Sequence, residues 1–293
     1  MIKKESKVVS KILFQLDIDS MASSFDAVVA IDSGVDHLLS YGGVTPDNVT
    51  SLVHGAMFTR GGDNLRHTAI FIGGSDVSAA EEVAAKVNGC FFGPVRVSVL
   101  QDASGCNTTA AAAVISAAKH VNLKESWVCV LGGTGPVGRR VAEMISLEGA
   151  RVRLVSRNMQ RATEAASVIS QRVPGSDVEP FSVFNSTQTA DCLKGCNVVI
   201  ACGAAGVLLL DSETMSAAES LRVAIDLNAV PPAGIEGIGA MDKANEVDGV
   251  IRYGALGVGG MKMKIHRAAI AALFERNDQM LDAKEVLAIG KAL

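Results

Sequence analysis

Short apolar runs alternate with amphipathic stretches along most of the chain. Lys11–Leu16, Thr68–Ile72, Val95–Leu100, Val128–Leu131, Val152–Val155, Asn197–Ala201 and Arg222–Ile225 read as strands of the buried kind, with a weaker strand near Phe181–Phe184. Between them, apolar residues recur at helical spacing. Ser23 is placed to cap a helix that opens at Ser24-Phe25-Asp26. Thr45 is placed to cap another, with Pro46 at its first position. Further helices are expected over Asp76–Val87, Asn107–His120, Pro136–Leu147, Asn158–Arg172, Thr187–Lys194 and Gly259–Arg276. Alternation of this kind predicts an α/β fold, with parallel sheets covered by helices. A chain of 293 residues is long enough for two domains. A boundary is expected near Val121–Ser126. A second falls near the glycine run Gly254–Gly260, where the chain returns to the first domain.

Composition narrows the function classes. Hydrophobic residues make up 48% and charged residues 20%, which excludes a disordered chain. The net charge is −4 and aromatics are 4%, so neither a phosphate backbone nor stacked bases find a matching surface, and nucleic acid is excluded as a partner. The six cysteines form no CxxC pair and read as reduced core residues. The charged opening Met1–Lys7 leads into no apolar leader segment. The most apolar run, Val198–Leu210, is too short for a membrane span and is broken by Gly203 and Gly206. The expectation is a soluble cytoplasmic protein without a membrane partner. His54, His67 and His120 stand in no metal-binding spacing, and no metal is expected.

The sharpest motif is Gly133-Thr134-Gly135-Pro136-Val137-Gly138, between a strand and a helix. In that setting GxGxxG reads as a dinucleotide site. Gly133 is assigned to the tight turn, Gly135 to the close approach of a pyrophosphate, and Gly138 to helix–strand packing. The helix start offers unpaired N–H groups and a partial positive charge. The following strand ends at Ser156-Arg157, where an NAD-selective site would carry an acidic residue. A hydroxyl and a guanidinium stand there instead, with Arg161 one helical turn on. Planar donors suit a 2′-phosphate, so NADP is the expected cofactor, with NAD as the alternative. Gly203 and Ala204 are placed to pass the nicotinamide side, and Asn228 to touch its carboxamide or ribose.

Polar residues gather in other glycine-rich loops: Asp32–His37, Tyr41–Asp47, Phe58–Gly62, Gly73–Asp76 and Asp102–Thr109. Lys262 and His266 are spaced i, i+4 and share a helix face. Lys262 falls near the expected start of that helix, against the dipole preference, which points to a function.

Five blocks closely resemble the bacterial NAD(P)-dependent methylene-tetrahydromethanopterin dehydrogenases: Phe25–Val49, Phe58–Gly62, Cys106–Ala112, Leu131–Gly138 and Gly254–Ala268. The resemblance covers nearly the whole chain. The departures are the opening extension Met1–Ser10 and Ser156-Arg157. The family oxidises a formaldehyde-derived carbon carried on tetrahydromethanopterin. The resemblance implies a pterin domain over 1–121, completed by 260–293, facing a Rossmann domain over 122–259 across a cleft. It also implies a homo-oligomer, with a trimer expected. Phe25, Thr109, Lys262 and His266 match residues that line the family's pterin pocket. Phe25 would wall the ring, Thr109 would bond near the reacting ring, and Lys262 and His266 would orient its polar edge. Two alternatives remain: a dehydrogenase acting on methylene-tetrahydrofolate or a shikimate-like acid, and a non-enzymatic NADPH-binding protein.

Overall fold

The computed structural model describes residues 9–293; the charged opening stretch lies almost wholly outside the described residues. Its elements run β1 (Ile12–Asp17), α1 (Ser24–Asp32), β2 (His37–Tyr41), α2 (Val49–Phe58), β3 (Thr68–Gly73), α3 (Val77–Gly89) and β4 (Ser98–Gln101). Then follow α4 (Cys106–Ala118), β5 (Trp127–Leu131), α5 (Pro136–Leu147), β6 (Arg151–Ser156), α6 (Met159–Arg172), β7 (Val178–Ser182), α7 (Ser186–Leu193), β8 (Val198–Ala201), α8 (Ser212–Ser216) and β9 (Val223–Asp226). The chain ends with β10 (Lys243–Val247), β11 (Val250–Tyr253), α9 (Ala255–Ala272), β12 (Met280–Leu281) and α10 (Ala283–Lys291).

Two compact units result. The first holds residues up to Gly105 and His266–Ile289; the second holds Cys106–Ile265 and Gly290–Leu293. The first crossing therefore falls at Gly105/Cys106, before the 121/122 boundary that the sequence suggests. Helix α4 accounts for the difference. Alanines bury it on nearly every side, and it packs on α5 of the second unit. The linker-like Val121–Ser126 is a short turn inside that unit.

The first unit carries a five-stranded sheet in the order β2-β1-β3-β4-β12, every neighbouring pair parallel. Phe14, Leu16, Ile70, Ile72 and Val99 face α2 and α3, whose Val53, Met57, Val83 and Val87 complete a closed core. On the opposite face Phe71 meets His266 of α9. The second unit carries a seven-stranded sheet in the order β10-β11-β9-β8-β5-β6-β7. All pairs but β10–β11 are parallel. Its core joins Leu131, Val155, Val199, Ala224 and Ile235. No helix of the described residues is long and apolar enough to cross a membrane.

Three local expectations are corrected. Thr45 caps no helix at Pro46. Its carbonyl accepts from Asn48 and Val49 in a turn, and α2 begins at Val49. The glycine run at 254–260 is not a loop, because α9 already begins at Ala255. Leu256 and Gly257 N–H groups donate to the Ala240 carbonyl, which satisfies donors that a helix start leaves open. A Cβ on Gly254 or Gly257 would overlap the backbone of Gly239–Asp242, so these glycines serve close approach. Lys262 consequently lies about two turns inside α9, and the dipole argument for it falls.

Candidate active site

The second sheet has the doubly wound 3-2-1-4-5-6 order, with β11 in sixth place and β10 as an antiparallel edge. Connections leave β5 towards one side and β8 towards the other. Ligands of such sheets bind in the crevice beyond the carboxyl ends of those two strands. The turn 132–135 follows β5, and the loop Cys202–Gly206 follows β8.

Gly132, not Gly133, carries the left-handed turn, with φ +68. A Cβ on Gly132 would stand 2.7 Å from the Gly203 backbone, so the two loops touch through glycine. Gly133 is forced by packing: its Cβ would meet Leu154 at 2.8 Å, and its N–H donates to the Val155 carbonyl at 2.8 Å. Gly138 has the packing role expected of it, since a Cβ there would sit 2.6 Å from the Gly132 oxygen. A Cβ on Gly135 would meet only ordinary contacts, at 3.6 Å or more, so this side of the turn has room. Gly135 is the N-cap of α5 and offers no capping side chain, and Pro136 opens the helix. The N–H groups of Val137 and Gly138 therefore lie in a turn that has no acceptor of its own.

At the end of β6 the Ser156 hydroxyl accepts from Thr134 Oγ1 at 3.4 Å and from the Asn158 N–H at 3.2 Å. It thus ties the glycine turn to the start of α6, which Asn158 caps through the Arg161 N–H. Arg157 and Arg161 are both exposed. Neither guanidinium has a hydrogen-bond or ion-pair partner among the described residues, so both are open to an anion. Gly203 is held against Leu209, and Ala204 is exposed beside it.

Asn228 is committed elsewhere. Its Nδ2 donates to the Pro232 carbonyl and its Oδ1 accepts from the Val230 N–H, both at 3.0 Å. It builds its own loop. Asp226, buried just before it, accepts N–H groups of Asn228, Gly234 and Ile235 at 2.7–3.1 Å and anchors the same loop. Cys202 is partly exposed as a residue, yet its thiol pKa is pushed far up, first by burial and then by the Asp226 carboxylate.

The first sheet has the 2-1-3-4-5 order, whose reversal lies between β1 and β3. Asp17 closes β1 and accepts N–H groups of Asp19 and Ser23, both at 2.9 Å. Ser23 in turn caps α1 through the Asp26 N–H. This brings Phe25, 54% exposed, and Asp26 beside the fully buried His266. The Phe25 and His266 rings are 6.4 Å apart, Phe71 lies 5.8 Å from His266 on a stacked ring, and His266 Nε2 is 3.9 Å from Asp26 Oδ1. Of the four pocket candidates, Phe25 and His266 are thus together in the first unit. Thr109, on the first turn of α4, and Lys262, on α9, belong to the second unit, and both are half-buried. Sequence reasoning passed over Asp26, Phe71, Gly132 and Asp226. Only Gly132, adjacent to the motif, left a signal there.

A family model described as methylene-tetrahydromethanopterin dehydrogenase, N-terminal, matches residues 24–104. The bifunctional protein MdtA of Methylorubrum extorquens is 43% identical, over 97% of this chain and 99% of its own. The NAD(P)-dependent methylenetetrahydromethanopterin dehydrogenase of the same organism is 32% identical, over 91% and 90%. Among solved structures, shikimate 5-dehydrogenase of Listeria monocytogenes, in complex with shikimate and NAD, superposes with a TM-score of 0.55 at 11% identity. It covers 98% of this chain and 99% of its own, a likeness of fold alone.

Proposed function

The chain belongs to the NAD(P)-dependent methylenetetrahydromethanopterin dehydrogenase family, and from that premise we propose that it oxidises methylene-tetrahydromethanopterin with NADP+ in preference to NAD+. It is an oxidoreductase of one-carbon metabolism: hydride leaves the methylene carbon of the pterin, and the methenyl form remains. The observation that carries the cofactor preference is the pair of open guanidinium groups, Arg157 and Arg161, beside a ribose position without any acidic side chain.

Gly132, Gly133 and Gly138 fit a dinucleotide because side chains there would fill the turn, while Gly135 leaves room and the start of α5 presents N–H donors. Bound there, the nicotinamide supplies the hydride acceptor. Gly133–Gly138 would hold the pyrophosphate, and Ser156, Arg157 and Arg161 the adenosine ribose with its 2′-phosphate. Gly203 and Ala204 would border the nicotinamide ribose, with Asn228 shaping the neighbouring loop. Phe25 would wall the pterin, Thr109 would bond near the reacting ring, and Lys262 and His266 would orient the polar edge. The methylene carbon sits between two nitrogens whose lone pairs stabilise the cation left behind. No O–H proton has to depart, so no general base is required of the chain. Its side chains then contribute mainly position, holding the reacting carbons about 3–3.5 Å apart.

The reading places the enzyme in the cytoplasm as a homo-oligomer, with a trimer expected. Met21, Val28 and Ile31 support assembly, since they leave an exposed apolar row along and beside α1. Sedimentation of a monomer at assay concentration would contradict that part.

The test crosses methylene-tetrahydromethanopterin and methylene-tetrahydrofolate with NADP+ and NAD+, following reduced nicotinamide. Fastest reduction is expected for the methanopterin substrate with NADP+. No reduction with either pterin contradicts the activity, and a preference for NAD+ contradicts the roles of Arg157 and Arg161.

A further inference from the structure

Asp226 closes β9, and the loop it holds reaches beyond its own neighbourhood. The residue is 1% exposed and meets three backbone donors. Oδ1 accepts from Asn228 at 3.0 Å, and Oδ2 accepts from Gly234 at 2.7 Å and Ile235 at 3.1 Å. Gly234 passes this anchorage on. Its carbonyl accepts the N–H groups of Leu209 at 2.8 Å and Leu210 at 3.2 Å, so the loop after β9 grips the loop after β8. The Leu209 side chain in turn lies 2.6 Å from the place a Gly203 Cβ would occupy, and Gly203 meets Gly132 of the nucleotide turn. All of these residues belong to the second unit. One buried carboxylate thus fixes, through successive contacts, the stretch 203–209. Ser156, Arg157 and Arg161 follow β6, which lies across β5 from β8 in the strand order, and no link of this series includes them.

We propose that Asp226 is the positioning residue for the nicotinamide ring: by holding Gly234 it sets where the 203–209 wall stands, and it acts on that half of the dinucleotide alone. This rests on the dehydrogenase reading above and adds which buried group places the reacting ring. A ring displaced by a fraction of an ångström loses rate more than affinity. Asparagine at 226 has one acceptor oxygen where two are in use, and its amide N–H groups then face an N–H, so the joint must open. Gly234→Ala strains the same joint from the other side and keeps the carboxylate. Its Cβ would stand 2.7 Å from Asp226 Oδ1.

The experiment compares the full-length wild type with Asp226→Asn and Gly234→Ala. 2′-Phospho-ADP-ribose, which has the adenosine half without the nicotinamide, is titrated by calorimetry. The emission of bound NADPH reads the ring, and oxidation of methylene-tetrahydromethanopterin with NADP+ gives kcat. Both variants are expected to bind 2′-phospho-ADP-ribose within about twofold of the wild type, at one equivalent per chain, which also shows that they are folded. The enhanced, blue-shifted NADPH emission of the wild type is expected to return towards that in water, and kcat to fall about tenfold or more. If one variant loses 2′-phospho-ADP-ribose binding, the other decides. Loss in both shows that the joint supports the whole unit, and overturns the inference. Unchanged emission or unchanged kcat in the folded variants overturns it too, as does a wild type that leaves NADPH emission as in water. Absence of turnover by the wild type overturns the dehydrogenase reading alone, because neither binding measurement involves a pterin.

Discussion

At the scale of a single side chain, the proposed preference for NADP+ rests on Arg157. A charge-assisted bond to a phosphate contributes about 1.5–3 kcal/mol, at the lower end on an exposed site. Arg157→Glu removes that bond and adds repulsion, so KM for NADP+ is expected to rise about tenfold or more while KM for NAD+ changes far less. An unchanged NADP+ value would show that Arg157 is only a solvated helix-face residue. The cysteines give a second prediction. None of the six forms a disulfide; five are buried, and burial pushes the thiols of Cys196, to about 11, and Cys202 well up. Burial bars a reagent from most of these thiols, so it should label the native protein slowly and reach six groups only in denaturant. Immediate labelling of all six would contradict the buried arrangement. At this scale the sequence was legible where packing needs a missing side chain at a fixed spacing, as in Gly138. It could not tell which glycine bears the left-handed turn. It also hid Asp26 and Asp226, because a carboxylate brought to a sheet end by folding reads like any surface acid.

Elements show the same division. The strands β1, β3, β5, β6, β8 and β9 stand within a residue or two of their apolar runs because both faces are covered. Half-exposed β2 and exposed β10 lack that mark. The β10–β11 hairpin did leave a signal that the reading passed over: Asp248-Gly249, both at positive φ, between the paired Val247 and Val250. Position α5 relative to the glycine turn depends on the missing Cβ at 138. Gly138→Ala would force the helix off the Gly132–Gly133 backbone, and both NADP+ and NAD+ binding should be lost, with roughly 1–3 kcal/mol of stability. Chemical denaturation and a cofactor titration measure the two effects. A variant that binds both nucleotides normally would show that the close approach is dispensable.

For the whole molecule, alternation of strand and helix made two α/β units legible. The exact crossing was not, since α4 looks like any alanine-rich helix until its partner α5 is known. Stability of the first unit should depend on pH through His67. Burial first, then Arg66, Arg60 and Lys11, lower its pKa below the ordinary 6.5. The unfolded chain then binds the proton more readily than the folded one, so stability is lost as pH falls through that value. Urea midpoints between about pH 7.5 and about pH 5.5 should fall in the wild type and fall less in His67→Gln. Equal slopes would contradict this. The central claim, that hydride passes directly from the methylene carbon to the nicotinamide, is tested most directly by isotope. With methylene-tetrahydromethanopterin deuterated at the methylene carbon and NADP+ in ordinary water, the reduced nicotinamide should carry deuterium at C4. Product carrying only solvent hydrogen would contradict it.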